Sequence, residues 1–278
     1  MTTLSSSDTG PPSLSRTFAP QEVSMDLTTC GLLPHRAEAI ARLYQEHGNW
    51  NQVKEIWLDE RLANRSTTGS AQRIYRILSS RFKNAPTTLP NPSDLPTILD
   101  RCSSSRDKAQ VLYPYLVADD ALVRYVVHEY ARRLAGNVPE PLDFSNETLL
   151  AILSQFEYTD ETSFEYADST IERWCEGFRS VIRKIGVLED QQTIGGEPPS
   201  IGEIPLLVTM GYSYEEGEAE WAESPTGLQY LFQPSDRWEE LYNRVAKTEA
   251  WEYVELHGNL QLRPADDPYS SITSEGTE

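Results

Sequence analysis

The chain has 278 residues, with 43 acidic against 24 basic side chains, a formal charge of −19 and an apolar share of 38%. That length suits about two packed units with a real core, and the apolar share excludes a disordered chain. No run approaches the ~18 apolar residues of a membrane helix. Cys30, Cys102 and Cys175 form no CxxC pair, so the cysteines read as ordinary thiols in a reduced, cytoplasmic setting.

Residues 1–24 are rich in Ser, Thr and Pro and lack the basic start and apolar run of a signal peptide, so they are expected to be a disordered tail. Ala37, Ile40, Ala41 and Tyr44 recur at helical spacing and predict a helix over 35–47. Gly48-Asn49 ends it and caps a second helix over about 50–63, with Trp50, Val53 and Trp57 as its buried stripe. Ser66-Thr67-Thr68-Gly69-Ser70 is a break rich in capping residues, followed by a third helix over 69–84. There Ile74, Ile77, Leu78 and Phe82 form the core stripe. Residues 25–85 thus read as a helix-turn-helix-like unit of three helices.

The charge pattern singles out the third helix. Residues 61–93 hold no acidic side chain and carry +6, whereas residues 140–278 carry −21. Arg outnumbers Lys 19 to 5, and Arg grips phosphate bidentately. In a helix-turn-helix the last helix lies in the major groove, where Gln pairs with adenine and Arg with guanine. Gln72 and Arg73 stand at the start of this helix. Arg65, Ser66, Thr67 and Thr68, with the free amides beside them, suit phosphates. Arg76, Ser80, Arg81 and Lys83 complete the candidate DNA-binding set. Two competing explanations stay open: a solvated basic face on a three-helix bundle, and the acid-rich, Lys-poor surface of proteins from salt-loving organisms.

Pro86, Pro90, Pro92 and Pro96 punctuate a linker over 86–96. Helices are predicted at 93–102, 105–117, 119–135, 145–157 and 162–188, making a central helical bundle over 97–190. Its core draws on Leu112, Tyr115, Leu116, Leu122, Val123, Val126, Val127 and Tyr130. Gly195-Gly196 and Pro198-Pro199 mark a boundary. The C-terminal unit, 191–263, has a short apolar run from Ile204 to Val208, then an acidic loop with Glu215, Glu216, Glu218, Glu220 and Glu223. A helix over 236–249 and strands at 251–256 and 260–262 around Gly258-Asn259 give a winged-helix-like ending with a small β-hairpin. Its acidity favours protein contact over DNA contact. Residues 264–278 are expected to be a disordered acidic tail. The fold class is mainly α.

Catalytic signatures are missing. There is no phosphate-binding glycine loop, nucleophile elbow or kinase pattern. His128-Glu129 starts like a zinc-protease motif, but Arg132 stands where the second histidine is needed. No metal, cofactor or small-molecule substrate is expected, and the chain reads as a non-enzyme.

Gly31-Leu32-Leu33, Ile40-Ala41-Arg42-Leu43-Tyr44, Gly48-Asn49-Trp50 and Asn64-Arg65-Ser66-Thr67-Thr68, with Arg73-Ile74 and Arg81, resemble the BrxA family (DUF1819). Leu122-Val123-Arg124-Tyr125-Val126 with His128-Glu129, and Phe178, Ile182 and Ile185-Gly186-Val187-Leu188, extend the resemblance over residues 26–262. It implies a small helical, DNA-binding component of a bacteriophage-exclusion (BREX) system, acting beside a methyltransferase, a large ATPase and a phosphatase-like protein. The leading expectation is binding to double-stranded DNA through residues 61–83. The alternative is an acidic adaptor that assembles the other defence proteins without touching DNA; RNA binding is a third reading.

Overall fold

The computed structural model describes residues 17–18, 23–134, 142–158, 164–214, 221–256 and 259–273. Helix α1 (Pro34–His47) begins with a proline whose missing N–H costs nothing at that position and ends on Gly48 at φ 61°. Asn49 then caps α2 (Trp50–Asp59), its Oδ1 accepting from the Asn51 and Gln52 amides at 2.9 and 3.3 Å. Helix α2 stops short of the predicted residue 63 because a closing turn forms. Arg61 N–H donates to the Leu58 carbonyl and Leu62 N–H to the Trp57 carbonyl, with Arg61 at φ 55°. This is a Schellman closure with arginine where glycine is usual.

Helix α3 (Thr68–Lys83) starts from Thr67, whose Oγ1 accepts the Ser70 amide at 3.3 Å. The Trp57 indole N–H donates to the Ala71 carbonyl at 3.2 Å and ties α2 to the first turn of α3. Helices α4 (Leu95–Asp100), α5 (Ser105–Asp119), α6 (Ala121–Leu134), α7 (Asn146–Leu153) and α8 (Asp168–Ile185) follow. The predicted helices are there, although α7 and α8 are shorter than 145–157 and 162–188. Helix α5 is buried along most of its length and packs against α1, α3, α6, α8 and α9 (Glu203–Ser213).

The chain ends in α10 (Thr226–Tyr230), α11 (Trp238–Val245), a hairpin and α12 (Ser270–Thr273). The hairpin strands, Trp251–Leu256 and Asn259–Pro264, pair antiparallel from Trp251 opposite Pro264 to Leu256 opposite Asn259. Two further pairs are two residues long: Thr17–Phe18 runs parallel to Glu157–Tyr158, and Leu142–Asp143 antiparallel to Gly195–Gly196. The protein is mainly α, as its periodicity requires.

Three segments differ from expectation. Within the predicted linker 86–96, Leu89, Leu95 and Pro96 are buried, and the Pro90 carbonyl accepts the Tyr115 hydroxyl at 2.6 Å. Prolines there shape a packed crossing rather than a solvated tether. Within the predicted tail 264–278, Tyr269 and Ile272 are buried. The Tyr269 hydroxyl donates to the Thr88 carbonyl, and the Arg101 guanidinium donates to the Ser271 carbonyl at 2.5 Å. Those two side chains dock residues 264–273, and residues 274–278 lie outside the described residues. Within the predicted tail 1–24, residues 17–18 form a strand; the remainder up to residue 22 lies outside the described residues. Four of the acidic-loop residues, Glu215, Glu216, Glu218 and Glu220, also lie outside them. One continuous cluster of buried side chains runs from Leu27 to Ile272.

Candidate nucleic-acid interface

Helix α3 divides by phase. Ile74, Tyr75, Ile77, Leu78 and Phe82 are buried, while Gln72, Arg73, Arg76 and Lys83 are exposed. Across a groove of about 680 Å³, α2 supplies Trp50, Asn51 and Lys54. Sequence reasoning missed Asn51 and Lys54, because it read only the tryptophan stripe of α2. Their signal was two exposed polar residues flanking that stripe.

Lys83 lies over the Trp50 ring at 5.0 Å and the Tyr75 ring at 5.8 Å. Trp50 in turn stacks on Tyr44, with centroids 4.0 Å apart and planes 17° apart. Partial burial, then the nearby Lys54 charge, hold the Lys83 ammonium below the usual lysine value. Both act against the cation, so an incoming anion would relieve them.

Arg81 is a correction. It is 5% exposed and donates to the Gly31 and Cys30 carbonyls at 2.8 and 2.9 Å, so no phosphate reaches it. Position 81 lies seven residues beyond Ile74, on the core stripe, and helical phase alone places it inside. Ser80 is half-buried and donates to the Asp119 carboxylate at 3.1 Å, a bond that Asn84 shares at 3.0 Å. It is tied to the protein rather than offered outward.

Arg65, Ser66, Thr67 and Thr68 are exposed around a small hollow of about 180 Å³ at the start of α3, with Arg61 beside them. The Thr67 hydroxyl is engaged as the helix cap, donating to Ser70 Oγ at 2.9 Å. Asp26 was not anticipated at all. Its carboxylate pairs with Arg73 at 3.3 Å and Arg76 at 3.1 Å, from a one-turn helix before α1. The acid-free window of sequence is therefore not acid-free in space.

These features define a mainly helical protein whose third helix presents a basic face beside a half-open groove. The sequence profile of the BrxA family matches residues 21–194. The chain belongs to the BrxA family, and that membership points to a component of a BREX phage-defence system. A crystal structure of an uncharacterized protein from Magnetospirillum magneticum is similar in fold, with a TM-score of 0.53 at 15% identity, over 76% of this chain and 98% of that one. No curated protein matches the chain. Among the described residues, no helix is long and apolar enough to cross a membrane, and no group of three or more His, Cys, Asp or Glu is placed to hold a metal.

Proposed function

We propose that this chain is a non-enzymatic component of BREX defence that docks the exposed face of α3 on duplex DNA, mainly through phosphates. The observation that carries this reading is the row Gln72, Arg73, Arg76 and Lys83, solvent-exposed on one helix whose start is flanked by Arg65. Arg73 and Gln72 stand where a recognition helix reads base edges. Arg65, Arg76, Lys83 and Lys54 are the phosphate contacts, with Arg81 removed from the set.

With about four phosphates neutralised, the log–log dependence of affinity on salt has a slope of about −3 to −4. Titration of duplex DNA at several salt concentrations measures it. Arg73→Glu with Arg76→Glu abolishes the gel shift without loss of helicity. Unchanged affinity in that double variant would remove the site from α3.

The ion pairs to Asp26 favour one rival reading, an adaptor whose α3 face already prefers carboxylates and docks an acidic protein partner. Nuclease-resistant recovery of the other defence proteins, with no DNA shift at low salt, would select it.

A further inference from the structure

A second basic cluster lies at the start of α1, about 15 Å along that helix from Tyr44 by the rise of an α-helix. It is a hollow of about 390 Å³ lined by Pro34, His35, Arg106, Lys108, Arg183 and Lys184. The side chains come from three elements: the N-terminus of α1, the N-terminus of α5 and the last turn of α8.

Ordinary helix electrostatics explains only part of this cluster. Arg183 and Lys184 complement the negative end of α8. His35 and Arg106 do the opposite. Each occupies the second position of its helix, where the dipole favours an anion. Helix α1 has no acidic residue in its first turn and no side-chain cap, whereas α5 is capped by Ser104 and carries Asp107 in its first turn.

Internal pairing does not neutralise the hollow. Lys108 is committed to Glu38 at 3.0 Å, and Lys184 donates to Ser180 Oγ at 3.1 Å. Among the described residues, no carboxylate pairs with Arg106, Arg183 or Lys184; the exposed Asp190 feels the Arg183 charge only at longer range. Burial, then the Arg183 charge, hold the Lys184 ammonium below its usual value. Arg106 also packs closely against the end of α8. A Cβ on Gly186, at φ 89°, would meet Arg106 Cδ and Nε at 2.8 Å, so the glycine keeps the space that this guanidinium occupies.

Cations of like sign gathered around one hollow, in a chain of −19, favour an incoming anion there. The hollow is of small-ligand size, smaller than a surface that cradles a duplex. We infer that the hollow between α1, α5 and α8 is a binding site for a polyphosphate group, held by Arg106, Arg183 and Lys184 beside the start of α1. The shared chemistry is a chain of phosphoryl groups, from a free nucleotide or from a phosphorylated nucleic-acid end.

Calorimetry on the full chain at low ionic strength, with inorganic tripolyphosphate as probe, tests this. Binding is expected to weaken by roughly tenfold or more in Arg183→Gln with Lys184→Gln, each lost charge-assisted bond contributing. The unliganded melting temperature should hold, since both side chains reach solvent. Arg73→Glu with Arg76→Glu should leave tripolyphosphate binding intact. No heat at millimolar tripolyphosphate, equal binding by the Arg183/Lys184 variant, or loss of binding in the α3 variant instead would each overturn the assignment. Displacement by ATP supports it with a free nucleotide as source. Displacement by a 5′-phosphorylated duplex, but not by its unphosphorylated form, supports it with a nucleic-acid end.

Discussion

Asp26 and Arg76 meet at 3.1 Å although 50 positions separate them in the chain, and the same carboxylate reaches Arg73 at 3.3 Å. One acid thus occupies two of the cations that face the groove. Any phosphate on α3 competes with it.

Asp26→Asn frees both guanidiniums while keeping the side chain's shape. Duplex DNA is expected to bind several-fold more tightly at low salt, with a log–log salt slope steeper by up to about one unit. Fluorescence anisotropy across a salt series checks this. Weaker or unaltered binding would mean that Asp26 organises the arginines rather than screening them.

Arg81 and Arg76 should separate stability from binding. Arg81→Ala leaves two buried carbonyls without their donor and is expected to cost about 2–4 kcal/mol of stability. Arg76→Ala, at an exposed position, should change stability by less than about 0.5 kcal/mol and weaken DNA binding. Urea unfolding and a DNA titration on both variants read the two effects. A stable Arg81→Ala protein with impaired binding would reverse the assignment.

Asp120 makes stability depend on pH. Its Oδ1 accepts the Leu122 and Val123 amides at 3.1 Å at the start of α6, yet burial pushes its carboxyl up to about 6. The folded state therefore holds the proton more tightly than the unfolded chain, where the value is about 3.9. Stability from this group falls as pH rises between those values and is flat above about 6. Asp120→Asn keeps an acceptor for the cap and removes the charge. It should raise neutral-pH stability by about 1–3 kcal/mol and abolish that slope. Denaturation curves at pH steps through this window measure both, and a less stable variant at neutral pH would refute the argument.

Ile272 tests whether the C-terminal segment holds the fold. It is 1% exposed, and Ile272→Ala is expected to cost about 2–4 kcal/mol. A substitution within a free tail would cost nothing measurable. Thermal unfolding of that single variant decides between them.

Helix phase was legible wherever apolar residues recurred over several turns, as in α3 from Ile74 to Phe82. The same phase places Arg81 inside, but its charge drew it into the surface set. Contacts between distant segments left no local mark. Asp26 on Arg76 and Tyr269 on Thr88 depend on how whole helices pack, and a charge window along the chain does not register a carboxylate arriving from elsewhere. Proline spacing likewise announced an interruption of helix at 86–96 without showing whether water or core fills the gap. The polyphosphate hollow was hidden for the same reason: His35, Arg106 and Lys184 are unremarkable singly and meet only in three dimensions.

Trp50 lies between the Tyr44 ring and the Lys83 ammonium. Its indole is thereby an optical gauge at the edge of the groove. A ligand that draws Lys83 toward a phosphate strips a cation from one ring face while the tyrosine stays on the other. The emission of Trp50 should therefore shift on DNA binding without any label. With the other five tryptophans as a constant background, a Trp50→Phe variant isolates that change by its loss.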